Sequence, residues 1–242
     1  MDLTHLQAVL RRRTPFEILD LALLFLRRFA RGYALLALFT LLPLALLNPL
    51  ILDAVGWPWW LGYLLWFLEI PLIHLPFILY TSELLFRANS DPLGALRKSI
   101  HSLPAMWGVW TRQRLVPTAF IHLHTLELRF LEGLKGKELR KRQAYFQRGE
   151  QNSITVLLLL GLLTLFVAVA IWVGQRSLIS LLAGLAWGKP APFSLPHHLL
   201  VPLQVLTAAV YWPVVDFFTY IDGRTRSEGW DLSLELRFGA AS

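Results

Sequence analysis

The chain contains no cysteine. Disulfides, thiolate-held zinc, iron–sulfur clusters and thiol catalysis are therefore excluded. Charge is scarce too. Only 16% of residues are Asp, Glu, Lys or Arg, against about 25% in ordinary soluble domains. There is no G-x-S-x-G elbow and no Walker glycine pattern, so neither a serine nucleophile nor a phosphate-cradling loop is on offer. One run, His122-x-His124-x-x-Glu127, has metal-ligating residue types. On a helix its two histidines point apart. The reading is of a chain without a catalytic residue, a cofactor or a metal.

Apolar surface takes the place of charge. Hydrophobic residues make up 55% of the 242, and mean hydropathy is +0.51. A helix crosses the hydrocarbon core with about 20 largely apolar residues. Four stretches meet that length: 32–52, 57–80, 154–174 and 199–221. Pro43 and Pro49 are expected to bend or end the first. In the second, Trp57, Trp59 and Trp60 form an interfacial belt, and Pro71 and Pro76 predict kinks. The third has neither charge nor proline. The fourth carries Asp216 near one end. Ser177–Trp187 is apolar but too short to cross. The expected fold is all-α: one integral membrane domain, a polytopic bundle of about four transmembrane helices with amphipathic helices beside it. The first apolar run follows Arg27, Arg28 and Arg31 and exceeds the ~7–15 residues of a signal-peptide core, so a secretory signal is not expected.

The basic residues sort across these spans. Of 23 Lys and Arg, all but Arg176 and Lys189 lie before 32, within 86–153, or after 221. Positive charge stays on the cytoplasmic side. Both termini and the central 86–153 segment are therefore expected in the cytoplasm of a bacterial cell, with the chain in its inner membrane. The net charge of +7 fits contact with anionic lipid headgroups. No nucleic-acid-binding motif accompanies it.

The cytoplasmic parts read as helices. Thr14-Pro15-Phe16-Glu17 is a helix start, with a capping threonine, a first-turn proline and a reciprocal glutamate. Residues 14–31 make an amphipathic helix, with Phe16, Leu19, Leu23 and Leu26 at helical spacing and Leu21, Ala22 and Leu24 widening the apolar side. Leu93, Leu96, Ile100 and Leu103 form an apolar stripe beside Arg97, Lys98 and His101. Leu115–Leu134 is a further amphipathic stretch, and Lys135–Gln143 is a charge run of the solvated kind. In the 222–242 tail, Trp230, Leu232, Leu234, Leu236 and Phe238 alternate with polar residues, a strand-like period of two.

Polar residues inside spans are functional candidates by default. Glu69 and His74 lie in the second span; five residues apart, they do not share a helix face. Asp216 and Tyr220 follow one another by a turn in the fourth. Bland readings compete with these: Glu69 hydrogen-bonded between helices, Asp216 reaching the interface. On the cytoplasmic side, Arg224, Arg226, Glu228, Trp230 and Asp231 are candidates for docking or headgroup contact, with Glu228 a partner for the arginines and Trp230 an anchor.

Three segments carry a resemblance. Thr14-Pro-Phe-Glu-Ile-Leu-Asp-Leu-Ala leading to Arg27-Arg28, the run Thr125–Arg142, and Tyr220–Leu236 resemble a group of uncharacterised bacterial multi-pass inner-membrane proteins. The last segment is also similar to the membrane domain associated with some glycerophosphodiester phosphodiesterases. Their catalytic domain has no counterpart here, so their chemistry is not carried over. Relatives in the group are often encoded beside a MoxR-type ATPase and transglutaminase-like membrane proteins. The resemblance thus implies a part in an envelope-associated assembly, with membrane-protein partners. The expected function is a non-enzymatic scaffold or accessory subunit. The alternative is a small transporter or lipid-handling protein using Glu69 in the kinked second span.

Overall fold

The computed structural model describes residues 11–58, 61–86, 90–106, 124–149 and 197–228, with isolated helical positions between 162 and 185. Among these residues there are helices and no strand. Trp230, Asp231 and the alternating tail lie outside them, as do His122 and most of 154–174.

Helix α1 is Pro15–Arg28. Its start is the capping box the residues predict. Thr14 Oγ1 accepts from the Glu17 amide at 3.3 Å, and Glu17 Oε2 accepts from the Thr14 amide at 2.9 Å. These bonds, with Arg11 at 2.9 Å, hold the Glu17 carboxyl below the usual range. The buried face differs from the expected stripe. Ile18, Leu19, Ala22 and Phe25 are buried, while Phe16 and Leu23 are exposed. The cause is α7, which takes the Ile18–Phe25 side.

After Phe29, helix α2 runs over Ala30–Val55. It passes through both Pro43 and Pro49 and ends at Gly56, whose left-handed φ of 70° closes it. The expectation that these prolines end the span is corrected as far as ending goes. Helix α3 is Leu61–Phe86 and runs back antiparallel to α2. The pairs Tyr33–Thr81 and Asn48–Glu69 fix that register. Gly32 is needed here. A Cβ on it would sit 1.9 Å from the hydroxyl oxygen of Tyr80. The absent side chain lets the Tyr80 ring stand edge-on to Tyr33, with centroids 5.2 Å apart.

The 86–153 segment is helical in pieces. Helix α4, Pro92–His101, is capped by Asp91, which accepts from the Leu93 amide at 3.0 Å. It packs on α3 and α2. The stripe of Leu93, Ile100 and Leu103 does not form its buried side; Ala95 and Ser99 do. Helix α5 is only Thr125–Phe130. The amphipathic stretch expected to continue to Leu134 stops there, because the chain turns at Gly133 with φ 73°. Helix α6, Gly136–Gly149, carries the charge run. Helix α7, His197–Glu228, continues past the expected span end at Ile221.

α7 is the centre of the bundle, with α3, α1 and α2 packed on it. Phe25 meets Phe218 edge-on at 5.1 Å, and Val214, Phe217, Phe218 and Ile221 are buried. Arg13 and Phe25 lie either side of most of α1, yet they touch Asp222 and Phe218, one turn apart on α7. α1 therefore crosses α7 obliquely. One helix among the described residues, α2, is long and apolar enough to cross a membrane, with a window hydropathy of 2.3. Only 28% of that window is buried within the chain. Leu38, Phe39, Leu46, Leu47 and Leu50 are at least half exposed. Leu72–Phe86 of α3 is apolar but shorter.

Candidate functional site

The sequence candidates fall into three polar contacts along the bundle. In the first, Glu69 on α3 meets Asn48 on α2. The Asn48 amide donates to Glu69 Oε2 at 2.9 Å, and Asn48 is 2% exposed. His74, on the neighbouring turn, goes elsewhere. Its Nδ1 lies 3.7 Å from Asp216 Oδ2 on α7. That is ion-pair range but too long for a hydrogen bond. Asp216 accepts from Trp212, one turn before it. Glu69 and His74 are thus separated, and His74 and Asp216 are brought together.

α5 adds a residue to the second contact. Glu127 is buried and faces Asp216. Burial first, then the Asp216 charge, pushes its carboxyl up to about 8. His124, just before α5, has left-handed backbone with φ 57° and ψ 28°. Its ring lies between Phe146 and Tyr220, with centroids 6.4 and 5.8 Å away. Burial pulls its imidazole down to about 4, so it is neutral at pH 7. Among the described residues, no group of three or more His, Asp or Glu is placed to hold a metal.

The third contact is an ion network at the end of α7. Arg224 Nη2 and Nε donate to Glu228 Oε2 at 2.9 and 3.2 Å. Arg142 of α6 donates from Nε to Glu132 Oε2 at 3.2 Å and also pairs with Glu228. Tyr220 donates its hydroxyl to Glu132 Oε1 at 2.6 Å and accepts from Arg224 Nη1 at 3.2 Å. Arg224 Nη1 lies 3.4 Å from Glu132 Oε1, so two arginines and two glutamates close a balanced square. Burial opposes charge on Arg224, but Glu228, Tyr220 and Glu132 outweigh it and raise its pKa. Arg142 also lies over the Phe146 ring at 5.3 Å, a cation–π contact.

Arg226 faces the other way. Its Nε donates to Asp222 Oδ2 at 2.6 Å, and Asp222 Oδ1 accepts from the Arg13 amide at 2.7 Å. Arg226 also donates to the Arg13 carbonyl. Asp222, which is buried, joins the segment before α1 to α7.

Sequence reasoning did not single out Asn48, Glu132, Arg142 or Asp222. Two signals were available for the last group. Asp222–Arg226 and Arg224–Glu228 are both i,i+4 pairs of opposite charge. Nothing in the spacing marks Asn48 or Glu132, which depend on which helix lies opposite. Searches against family models, curated proteins and solved structures find no match to this chain.

Proposed function

We propose that the chain is a multi-pass inner-membrane scaffold or accessory subunit. In this reading four helices cross the bilayer, at 32–52, 57–80, 154–174 and 199–221, with both termini in the cytoplasm. The observation that carries the scaffold reading is the Asn48–Glu69 bond: the carboxyl of the apolar second stretch is taken up between two helices. Such a group serves packing, not passage. The ion network at the end of α7 supports the same reading. It ties α6 down and leaves Lys137, Arg140 and Lys141 exposed on the outer side of that helix. That basic face is the proposed partner surface, suited to an acidic region of another membrane-associated protein. The resemblance to inner-membrane proteins of envelope assemblies is a proposal of the same kind.

Two experiments test it. The cysteine-free chain takes single cysteines on a clean background. Ala54→Cys and Ser194→Cys should react with an impermeant thiol reagent from outside; Ser90→Cys, Gly136→Cys and Ala241→Cys should not. Outside labelling at 136 would sink the topology. For function, Lys137→Glu/Arg140→Glu/Lys141→Glu should melt like wild type yet lose the proteins that copurify in mild detergent. Glu69→Gln should keep them.

The transporter alternative is favoured by one observation, the His74–Asp216 contact with Glu127 behind it. Reconstituted protein would then move protons or a small ion. A folded Asp216→Asn variant would abolish that flux while leaving copurification unchanged.

A further inference from the structure

Helix α4 has three sides. At about 100° per residue, Ala95 and Ser99 fall together, and they are the buried side, at 0% and 4% exposure. Next around the helix come Leu93, Leu96 and Ile100, with Leu103 just past its end. Leu93 and Ile100 are 47% and 54% exposed. The third side holds Arg97, Lys98 and His101, all exposed. A helix on a water-facing surface needs only two sides, one apolar and inward, the other polar and outward. Here a second apolar side stands outside the first, between protein and the polar side.

The position of α4 accounts for that order. Lys98 pairs with Glu83, near the end of α3. Ser90, just before α4, bonds Tyr80, whose hydroxyl lies over Gly32 at the start of α2. α4 therefore sits level with the ends of the α2–α3 hairpin. It packs against α2, whose own outer side is bare and apolar.

We propose that α4 is seated in the cytoplasmic leaflet. Acyl chains cover Leu93, Ile100 and Leu103, and anionic phospholipid headgroups meet Arg97 and His101. The inference rests on the membrane reading above and adds a lipid-binding helix to a segment otherwise assigned to the cytoplasm. Three features select this occupant over a protein: α4 packs on α2, which has a bare apolar side of its own, Arg97 borders the apolar side, and the helix lies level with the ends of the α2–α3 hairpin. An interfacial helix with basic residues along its polar side prefers anionic lipid.

Nitroxide labels on single cysteines at Ile100, Arg97 and Leu46 test the seating. The full chain is placed in bilayers of equal parts phosphatidylcholine and phosphatidylglycerol. The label at 100 should collide with oxygen in preference to an aqueous nickel chelate, as the label at Leu46 on α2 does. The label at 97 should show the reverse preference. Nickel preference at 100 with oxygen preference at 46 overturns the proposal and leaves the membrane reading standing. So does a label at 100 that neither reagent reaches, which would mean a covering protein. Nickel preference at 46 brings down the membrane reading itself. For the headgroups, wild-type protein extracted from those bilayers should retain phosphatidylglycerol above its bulk share by mass spectrometry. Arg97→Gln/His101→Gln should lose that enrichment. Undiminished enrichment in the double variant refutes the headgroup contact.

Discussion

Arg224→Met removes one corner of the ion square while keeping the length and most of the apolar stem of the side chain. Arg224, Glu132 and Glu228 have side chains 18%, 14% and 18% exposed, so water screens them only in part. The variant leaves two carboxylates facing one guanidinium, Arg142, and takes from Tyr220 a donor to its oxygen. A fully buried pair broken on one side costs about 3–5 kcal/mol, and an exposed one about 0–1 kcal/mol. This site lies nearer the first, and the expected loss is about 3 kcal/mol. For a chain of this size that is a fall of roughly 6–12 °C in melting temperature, read by thermal unfolding in mild detergent. Glu228→Gln should also destabilise. The double variant should fall short of the sum by about 1–2 kcal/mol, since the two share one interaction. An unchanged melting temperature in Arg224→Met, or strict additivity with Glu228→Gln, would refute the view that this square holds α6 to α7.

Gly32→Ala places a methyl group 1.9 Å from the Tyr80 oxygen; it should destabilise by about 1–3 kcal/mol, with partial rescue by Tyr80→Leu in a melting experiment. Asp222→Ala and Arg224→Met act on opposite sides of α7, one on the segment before α1 and the other on α6, so their losses should add within about 0.5 kcal/mol. The pH dependence follows from two buried groups with opposite signs. Glu127, raised to about 8, keeps a proton the unfolded chain has lost, so its contribution is fully present below about pH 4.5 and fades as pH rises through 8. His124, lowered to about 4, refuses a proton the unfolded chain takes, so its contribution fades as pH falls from about 6.5 through 4. Above about pH 6.5 the His124 contribution is complete while that of Glu127 is still fading, so wild type should lose melting temperature between about pH 6.5 and 8 and Glu127→Gln should lose less.

The elements that local chemistry specifies were legible in the chain. Thr14, Pro15 and Glu17 carry the start of α1 within four residues, and the structure places both reciprocal bonds there. The all-helical class follows from composition. What was not legible depends on the neighbour. The apolar stripe of Leu93, Leu96, Ile100 and Leu103 was visible, but not that Ala95 and Ser99 are the small residues that let α4 approach α3 and α2. Periodicity identifies an apolar side but not whether protein or lipid covers it. α1 shows the same ambiguity, with apolar residues almost all round and α7 choosing Ile18, Leu19, Ala22 and Phe25. Pro43 and Pro49 read as bends or ends because proline removes a backbone donor; α2 does not end at either. Among the sites, the residue types were legible and the pairings were not. Glu69 was visible as an acid in an apolar stretch, but Asn48, which answers it, was one more residue in an apolar run.

The end of α7 joins these observations. Two residues along a helix turn through about 200°, so Asp222 and Arg226 point away from Arg224 and Glu228. The first pair grips the segment before α1; the second grips α6. One helix is therefore fastened on opposite sides by two charge pairs, each within its own i,i+4 spacing, and each completed by a group far away in sequence. Arg13 and Asp222 are 209 residues apart, and Arg142 and Glu228 are 86. Pairing within the helix pre-orients each charge, which lowers the entropy lost when the distant partner docks. Helices α1 and α6 are then both fastened to α7. A displacement of α6 by a partner would pass to α7 through Arg142 and Glu228, and from α7 to α1 through Asp222. Coupling of this sort needs no bound ligand inside the bundle. Under the scaffold reading proposed above, the basic outer side of α6 would be linked through α7 to α1 by these two charge pairs.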